Sequence, residues 1–110
     1  MFKKSERLSR TEFSEFFKTG KRNNFDHFTI ITKSLPNLKV VVVVGKKVAK
    51  SAVKRNLIKR RIYARLRDLL YTQKYLGVLI IIVKPTYTSL TRKTADEFLI
   101  RSIAQLTKGA

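Results

Sequence analysis

A run of basic side chains between Lys46 and Arg67 is the part of this 110-residue chain whose residue types and spacing point most directly to a chemistry. The run, KKVAKSAVKRNLIKRRIYARLR, holds ten of the 25 Lys and Arg residues and no acidic residue. Cations at this density suit the neutralisation of several phosphates, with an affinity that depends on salt and little on base sequence. Asn56, a neutral amide inside the run, suits either one specific phosphate, ribose or water contact, or simple helix packing.

Side chains that could catalyse hydrolysis or hold a metal ion are few and scattered. The acidic residues are Glu6, Glu12, Glu15, Asp26, Asp68, Asp96 and Glu97. A metal-dependent nuclease needs clustered carboxylates, which this spacing does not predict, and the absence of Cys excludes thiol catalysis and cysteine-ligated zinc. His27, the one histidine, falls in a predicted strand without an evident partner, so we expect a structural or surface role and not catalysis. The sequence therefore predicts a binding protein with no catalytic residue and no metal ligand.

The charge balance indicates the class of partner. A formal net charge of +18 favours nucleic acid first and an anionic membrane surface second. A membrane-active protein fits poorly, because the apolar residues are needed for a folded core. No apolar run is long enough to span a bilayer, and the N-terminal residues lack the apolar run of a signal peptide. We expect a cytoplasmic protein without a membrane partner.

The basic run is predicted to be a helix that Ser51 caps and that ends near Tyr71. Its apolar stripe, at helical spacing, consists of Ile58, Ile62, Leu66 and Leu69. One flank carries Asn56, Lys59, Arg60, Tyr63 and Arg67, and the opposite flank carries Lys54, Arg61 and Arg65. The helix is therefore expected to dock on a core by its stripe and to present basic edges to a polyanion.

The remaining elements complete one α+β domain, residues 1–110, in the order α-β-β-α-β-α. A first helix has Ser9 as N-cap, Glu12 closing a capping box and Gly20 as a stop, and the signal Thr94-x-x-Glu97 starts the last helix. Strands are predicted over residues 25–32, 39–44 and 78–83. We expect the first two to pair as an antiparallel hairpin, and the valine run 40–44 to be central in the sheet. The second and third, joined through the basic helix, should be parallel.

Two phenylalanines stand four positions apart in the first helix, Phe13 and Phe17. Aromatic residues at this spacing either pack in the core or, beside a basic groove, offer a stacking platform for unstacked bases. The sequence pattern leaves both interpretations open.

The segment AVKRNLIKRRI, residues 52–62, resembles the signature helix of the bacterial ribonuclease P protein family. The motif Gly45-Lys46-Lys47-Val48 before the helix, the motif Phe13-x-x-x-Phe17-Lys18-x-Gly20 and the pair Lys84-Pro85 support the resemblance. These motifs follow the family order over nearly the whole chain.

The resemblance implies a two-layer sandwich of the ribosomal protein S5 domain 2-like type with a left-handed βαβ crossover, whereas the usual hand would be right. It implies a ribonucleoprotein endoribonuclease in which this chain binds a catalytic RNA subunit and the 5′ leader of precursor tRNA. The RNA, with Mg²⁺ that it mainly holds, would perform the hydrolysis. We expect that no further protein partner is required.

The resemblance also implies site residues. The expected RNA contacts are Lys46, Lys47, Lys50, Lys54, Arg55, Asn56, Lys59, Arg60 and Arg67. The expected leader-binding cleft is lined by Phe13, Phe17, Phe28 and Ile31. Three positions depart from the family pattern: Leu57 replaces a frequent Arg, Tyr63 a basic residue and Ile31 an aromatic one. The alternative is a general RNA-binding protein of ribosomal type, which would use the same cations without a pair of cleft phenylalanines.

Overall fold

A computed structural model describes residues 4–108 of the chain. Its helices are α1 (Arg10–Thr19), α2 (Ala52–Thr72) and α3 (Arg92–Lys108), and its strands are β1 (Lys21–Asn24), β2 (Phe28–Lys33), β3 (Leu38–Val43) and β4 (Gly77–Val83). Short 3₁₀ turns cover Lys4–Glu6 and Pro85–Ser89. The predicted α+β class and the order of its helices are confirmed, but the chain has one more strand than predicted.

The sheet has the strand order β1-β2-β4-β3. The predicted parallel pairing of the strands on either side of α2 is confirmed, since β3 and β4 are parallel. The predicted hairpin is wrong, because β4 lies between β2 and β3 and pairs antiparallel with β2. β4 takes the centre because its run VLIIIV is apolar on both faces. The left-handed course of the crossover stays a prediction of the resemblance.

The valine run forms an edge strand, so its predicted central position is wrong. In β3 the even-numbered Leu38, Val40 and Val42 are buried, while Val41 and Val43 are half-buried. β-branched residues suit strands covered on one face and strands covered on both faces. A run of valines therefore does not by itself decide whether a strand is central or at the edge of the sheet.

The additional strand, β1, was missed because its sequence KRNN has no apolar alternation. It pairs antiparallel with β2, and the intervening turn is closed by the Phe25 N–H, which donates to the Phe28 carbonyl over 2.8 Å. His27 therefore lies in this turn and not in a strand. Its Nδ1 is 2.9 Å from Thr86 Oγ1 and its ring meets Phe98 edge-on, so the expected lack of a partner is wrong.

Local capping signals predicted two of the three helix starts. The Ser9–Glu12 capping box of α1 and the Ser51 cap of α2 are both present. The start of α3 lies earlier than predicted, because the hydroxyl of Thr91 accepts from the Thr94 N–H. Thr94 is therefore inside the helix, and Thr91 is its cap.

The two faces of the sheet are covered unequally. α2 and α3 pack on one face, where the stripe of α2 is Ile58, Ile62, Leu66 and Leu70, so Leu70 and not Leu69 completes it. On the other face, which we call the α1 face, α1 buries only a smaller cluster of Phe16, Ile31, Val78 and Ile80. Ten residues of helix cannot cover four strands, so Val41, Val43 and Ile82 beside α1 stay half-buried. They leave an incompletely covered apolar strip of the sheet beside α1, which we call the cleft.

Candidate nucleic-acid interface

The loop between β3 and α2 carries three exposed lysines, Lys46, Lys47 and Lys50. Val48 and Ala49 anchor this loop because both are buried in the core. The apolar pair thus fixes the backbone while the neighbouring ammonium groups stay in solvent. A compact basic loop at the start of α2 is the result.

The flank of α2 that carries Asn56, Lys59, Arg60, Tyr63 and Arg67, which we call the signature flank, lies next to this loop. Asn56, Arg60 and Arg67 are exposed on it and Lys59 is half-buried. Between described side chains there are two ion pairs, Lys39–Glu12 and Arg65–Asp96, and neither involves this flank. Its positive charge is therefore uncompensated within residues 4–108 and is available to an anion.

Lys54 is exposed on the opposite flank, in the first turn of α2. On that flank Arg65 donates to Asp96 of α3 over 3.0 Å. The structure thus separates Lys54 from the Asn56 flank by the width of the helix. The predicted RNA contacts do not all share one surface.

Arg55 has a structural role that the sequence did not reveal. Its guanidinium Nη1 donates to the carbonyls of Ala49 and Lys50, at 3.0 and 2.8 Å, and its side chain is half-buried. These bonds close the basic loop onto α2. Any contact of Arg55 with RNA must use its remaining N–H donors.

Tyr63 connects the signature flank to the edge of the sheet. Its hydroxyl accepts a hydrogen bond from the Val42 N–H over 2.9 Å, and burial raises the pKa of the phenol. Val42 lies in the edge strand β3, so Tyr63 satisfies a backbone donor that would otherwise lack a strand partner. This residue, a departure from the family pattern, therefore positions α2 over the β3 edge.

The cleft on the α1 face has an aromatic wall. Phe13 and Phe17 contact each other with ring centroids 5.6 Å apart and a 33° tilt. Phe17 is 37% exposed, whereas Phe13 is half-buried and the intervening Phe16 anchors α1 in the core. Arg22 of β1 lies over the Phe17 ring, 5.0 Å from its centroid. Phe17 can therefore present ring surface to a ligand.

Two predicted cleft residues do not line the cleft. Phe28 is fully buried on the opposite face of the sheet, in the core under α2 and α3, so its assignment is wrong. Ile31 lies on the α1 face but is fully buried beneath α1. Alternation in β2 puts these two residues on opposite faces, so they cannot share a site. Half-buried Val41 of β3 and Ile82 of β4 line the cleft instead. The sequence does not predict this, because the apolar runs of these two strands are typical of strands covered on both faces.

Comparison with known proteins identifies the family. The family model described as Ribonuclease P matches residues 2–107. The chain belongs to the ribonuclease P protein family. It is 30% identical to the ribonuclease P protein components of Nostoc sp. and of Trichormus variabilis, in alignments covering 94% of this chain and 89% of each relative. This chain is thus a component of ribonuclease P, an endoribonuclease ribonucleoprotein, and acts in tRNA 5′ processing.

Solved structures show the same fold. The Staphylococcus aureus RNase P protein superposes with a TM-score of 0.75 at 17% identity, over 94% of this chain and 96% of that one. The Thermotoga maritima RNase P protein gives a TM-score of 0.69 at 22% identity, over 91% and 96%. Membership of the family implies an RNA subunit as partner and tRNA as substrate.

Ribonuclease P generally depends on Mg²⁺, but the described protein residues do not fit a Mg²⁺ site. Nowhere in residues 4–108 do three His, Asp or Glu side chains come together. Several carboxylates have other partners: Glu12 accepts from the Ser9 N–H, Glu6 accepts from the Tyr71 hydroxyl, and Asp96 pairs with Arg65. The Ser9 hydrogen bond lowers the pKa of Glu12 and the Glu6 hydrogen bond raises that of Tyr71.

Among the described helices, none is both long enough and apolar enough to span a membrane.

Proposed function

We propose that the signature flank of α2 and the basic loop bind the catalytic RNA subunit, while the cleft on the α1 face holds the single-stranded 5′ leader of precursor tRNA. The RNA contacts are Asn56, Lys59, Arg60 and Arg67 on the flank, Lys46, Lys47 and Lys50 in the loop, and the free donors of Arg55. Lys54, on the other flank, would reach a separate phosphate. The leader contacts are Phe13 and Phe17 with the half-buried floor beside them.

The observation that carries this proposal is the pairing of two different surfaces on one small domain. Uncompensated cations suit paired or structured RNA, which is bound mainly through its phosphates. An exposed aromatic side chain beside cations suits single-stranded RNA, because a splayed base can stack on the ring. Tyr63 bonds α2 to the β3 edge, so the flank borders the sheet that forms the cleft floor.

The proposed mechanism assigns positioning to the protein and hydrolysis to the RNA. A leader held in the cleft orients the scissile phosphate relative to the RNA subunit, and the +18 charge reduces repulsion between two polyanions. Mg²⁺ would be held mainly by the RNA, and the two RNA partners suffice without a second protein. We place this reaction in the cytoplasm, with no membrane partner.

Reconstitution tests the proposal. The purified protein, added to a bacterial ribonuclease P RNA at low Mg²⁺, is expected to restore leader removal from precursor tRNA. Tight RNA binding without this rescue would favour the general RNA-binding protein of ribosomal type.

Phe17→Ala tests the cleft within the reconstituted enzyme. Loss of a stacking platform is expected to weaken binding of leader-bearing precursor by roughly fivefold or more, with little effect on mature tRNA. Leu76→Ala is the control, because Leu76 is 62% exposed and lies outside both proposed surfaces. Equal losses for both substrates, or unfolding of the variant, would show that Phe17 serves the fold and not the leader.

A further inference from the structure

Arg22 lies at the cleft and belongs to neither the signature helix nor the predicted cleft residues. It is an exposed residue of the edge strand β1, opposite Ile31 of β2 in the antiparallel register. Directly opposed residues point to the same face of a sheet, so Arg22 projects from the α1 face. Its position over the Phe17 ring agrees with this register.

Hydrogen-bond partners distinguish Arg22 from the other cations that the sheet places against α1. Lys39 pairs with Glu12 at 3.6 Å, and Lys33 donates to Thr19 Oγ1 at 2.7 Å while lying over Phe16. The Arg22 guanidinium contacts the Phe17 ring but makes no ion pair and no hydrogen bond with the described part of the chain, whereas the Arg22 backbone belongs to the ladder with β2. The guanidinium N–H donors therefore have no acceptor in residues 4–108.

A guanidinium that stacks on a ring keeps its N–H groups in its own plane, where they can still donate. A planar fork of donors matches the oxygens of a phosphate. A single strand carries one phosphate for each base, so a base stacked against the Phe13–Phe17 wall brings a phosphate close to Arg22. Stacking surface and phosphate donor then lie side by side, as binding of single-stranded nucleic acid requires.

We propose that Arg22 binds a backbone phosphate of the 5′ leader, next to the nucleotide whose base stacks on the Phe13–Phe17 wall. This assignment rests on the proposed function of the cleft. It adds a cation from the edge strand to a site otherwise formed by α1 and the cleft floor, and it makes leader recognition partly electrostatic. Base identity at that nucleotide is not read by this contact, because every nucleotide has the same phosphate.

Lys21 provides a matched control. It is the adjacent residue of β1, it is exposed and it is cationic, but it is paired with Thr32 and so projects from the opposite face. Arg22→Gln and Lys21→Gln each remove one positive charge from the same short strand. Because both variants have the same net charge, any difference in their RNA binding must come from where the removed charge was located.

The experiment measures, for the reconstituted holoenzyme, the ratio of affinities for leader-bearing precursor and mature tRNA at several salt concentrations. Arg22→Gln is expected to lower this ratio by about two- to fivefold. The slope of the logarithm of the ratio against the logarithm of the salt concentration should become shallower by roughly 0.7. Lys21→Gln should leave both unchanged, and Arg22→Lys should keep the slope while losing part of the affinity. Melting temperatures check that each variant is folded.

Equal changes in the two Gln variants, or an unchanged ratio in Arg22→Gln, would overturn the assignment of Arg22 while leaving the cleft in place. A wild-type holoenzyme without any preference for the leader would instead refute the proposed function of the cleft.

Discussion

At the scale of single residues, similar side chains have different roles according to their neighbours. Arg55 and Arg60 both belong to the basic signature of α2 and lie five positions apart. Arg60 is exposed, whereas Arg55 is half-buried and donates to two loop carbonyls. Arg55 therefore contributes to the fold as well as to the charge of the surface.

We expect Arg55→Lys to destabilise the protein by about 1–2 kcal/mol, because Lys keeps the charge but cannot reproduce the guanidinium geometry at both carbonyls. Arg60→Lys is the matched control and should change the free energy of unfolding by less than about 0.5 kcal/mol. Urea denaturation of both variants measures the difference. If the two substitutions cost the same, the loop bonds of Arg55 contribute nothing to stability.

At the scale of elements, residues outside the edge strand β3 shield part of its free edge from pairing with another chain. Arg7 forms an isolated parallel bridge with Val40, and the Tyr63 hydroxyl accepts from Val42. Together these contacts cover part of the free edge, which limits pairing with another chain. The Tyr63 bond also holds the signature flank over the sheet, so a single hydrogen bond between α2 and β3 contributes both to folding and to the position of the proposed RNA-binding surface.

Tyr63→Phe should lower the free energy of unfolding by about 1 kcal/mol near neutral pH, since the Val42 N–H loses its acceptor. Burial raises the pKa of Tyr63 in the folded state above its unfolded value of about 10. The stabilisation is therefore fully present below about pH 10 and is lost as the pH rises through the folded pKa.

Urea midpoints of wild type and Tyr63→Phe, measured from neutral to alkaline pH, test this dependence. The gap between them should narrow above about pH 10. Tyr75 and Tyr87, whose pKa values burial also raises, are present in both proteins and cancel in the comparison. A gap that stays constant across the alkaline range would contradict the assignment to Tyr63.

At the scale of the whole molecule, a net charge of +18 on 110 residues is a cost to folding as well as a means of binding. The described side chains form two ion pairs, so little of this charge is neutralised locally. Salt should therefore stabilise the free protein and weaken its complex with RNA.

Raising NaCl from roughly 0.02 to 0.3 M shortens the Debye length from about 20 to about 6 Å. We expect the melting temperature of the free protein to rise, by about 4–8 °C for each kcal/mol of repulsion relieved. The affinity for the RNA subunit should fall over the same range. Calorimetry and a binding titration check the two trends, and a melting temperature that falls with salt would refute dominant self-repulsion.

Short-range signals in the sequence determined much of this protein. Ser9 with Glu12, and Ser51, predicted two helix starts because a cap acts within one turn of its own helix. The spacing of Ile58, Ile62 and Leu66 predicted the buried stripe of α2, and the charge and signature residues predicted an RNA-binding family.

Tertiary structure alone decided how these pieces meet. The strand order β1-β2-β4-β3 depends on pairing between residues far apart in the chain, which no local pattern encodes. The same long-range packing buried Phe28 on the face opposite Phe17, turned Arg55 and Tyr63 inward, and placed Arg22 over an exposed ring. Residue type thus determined what each side chain could bind, and the fold determined which side chains remain exposed and adjacent.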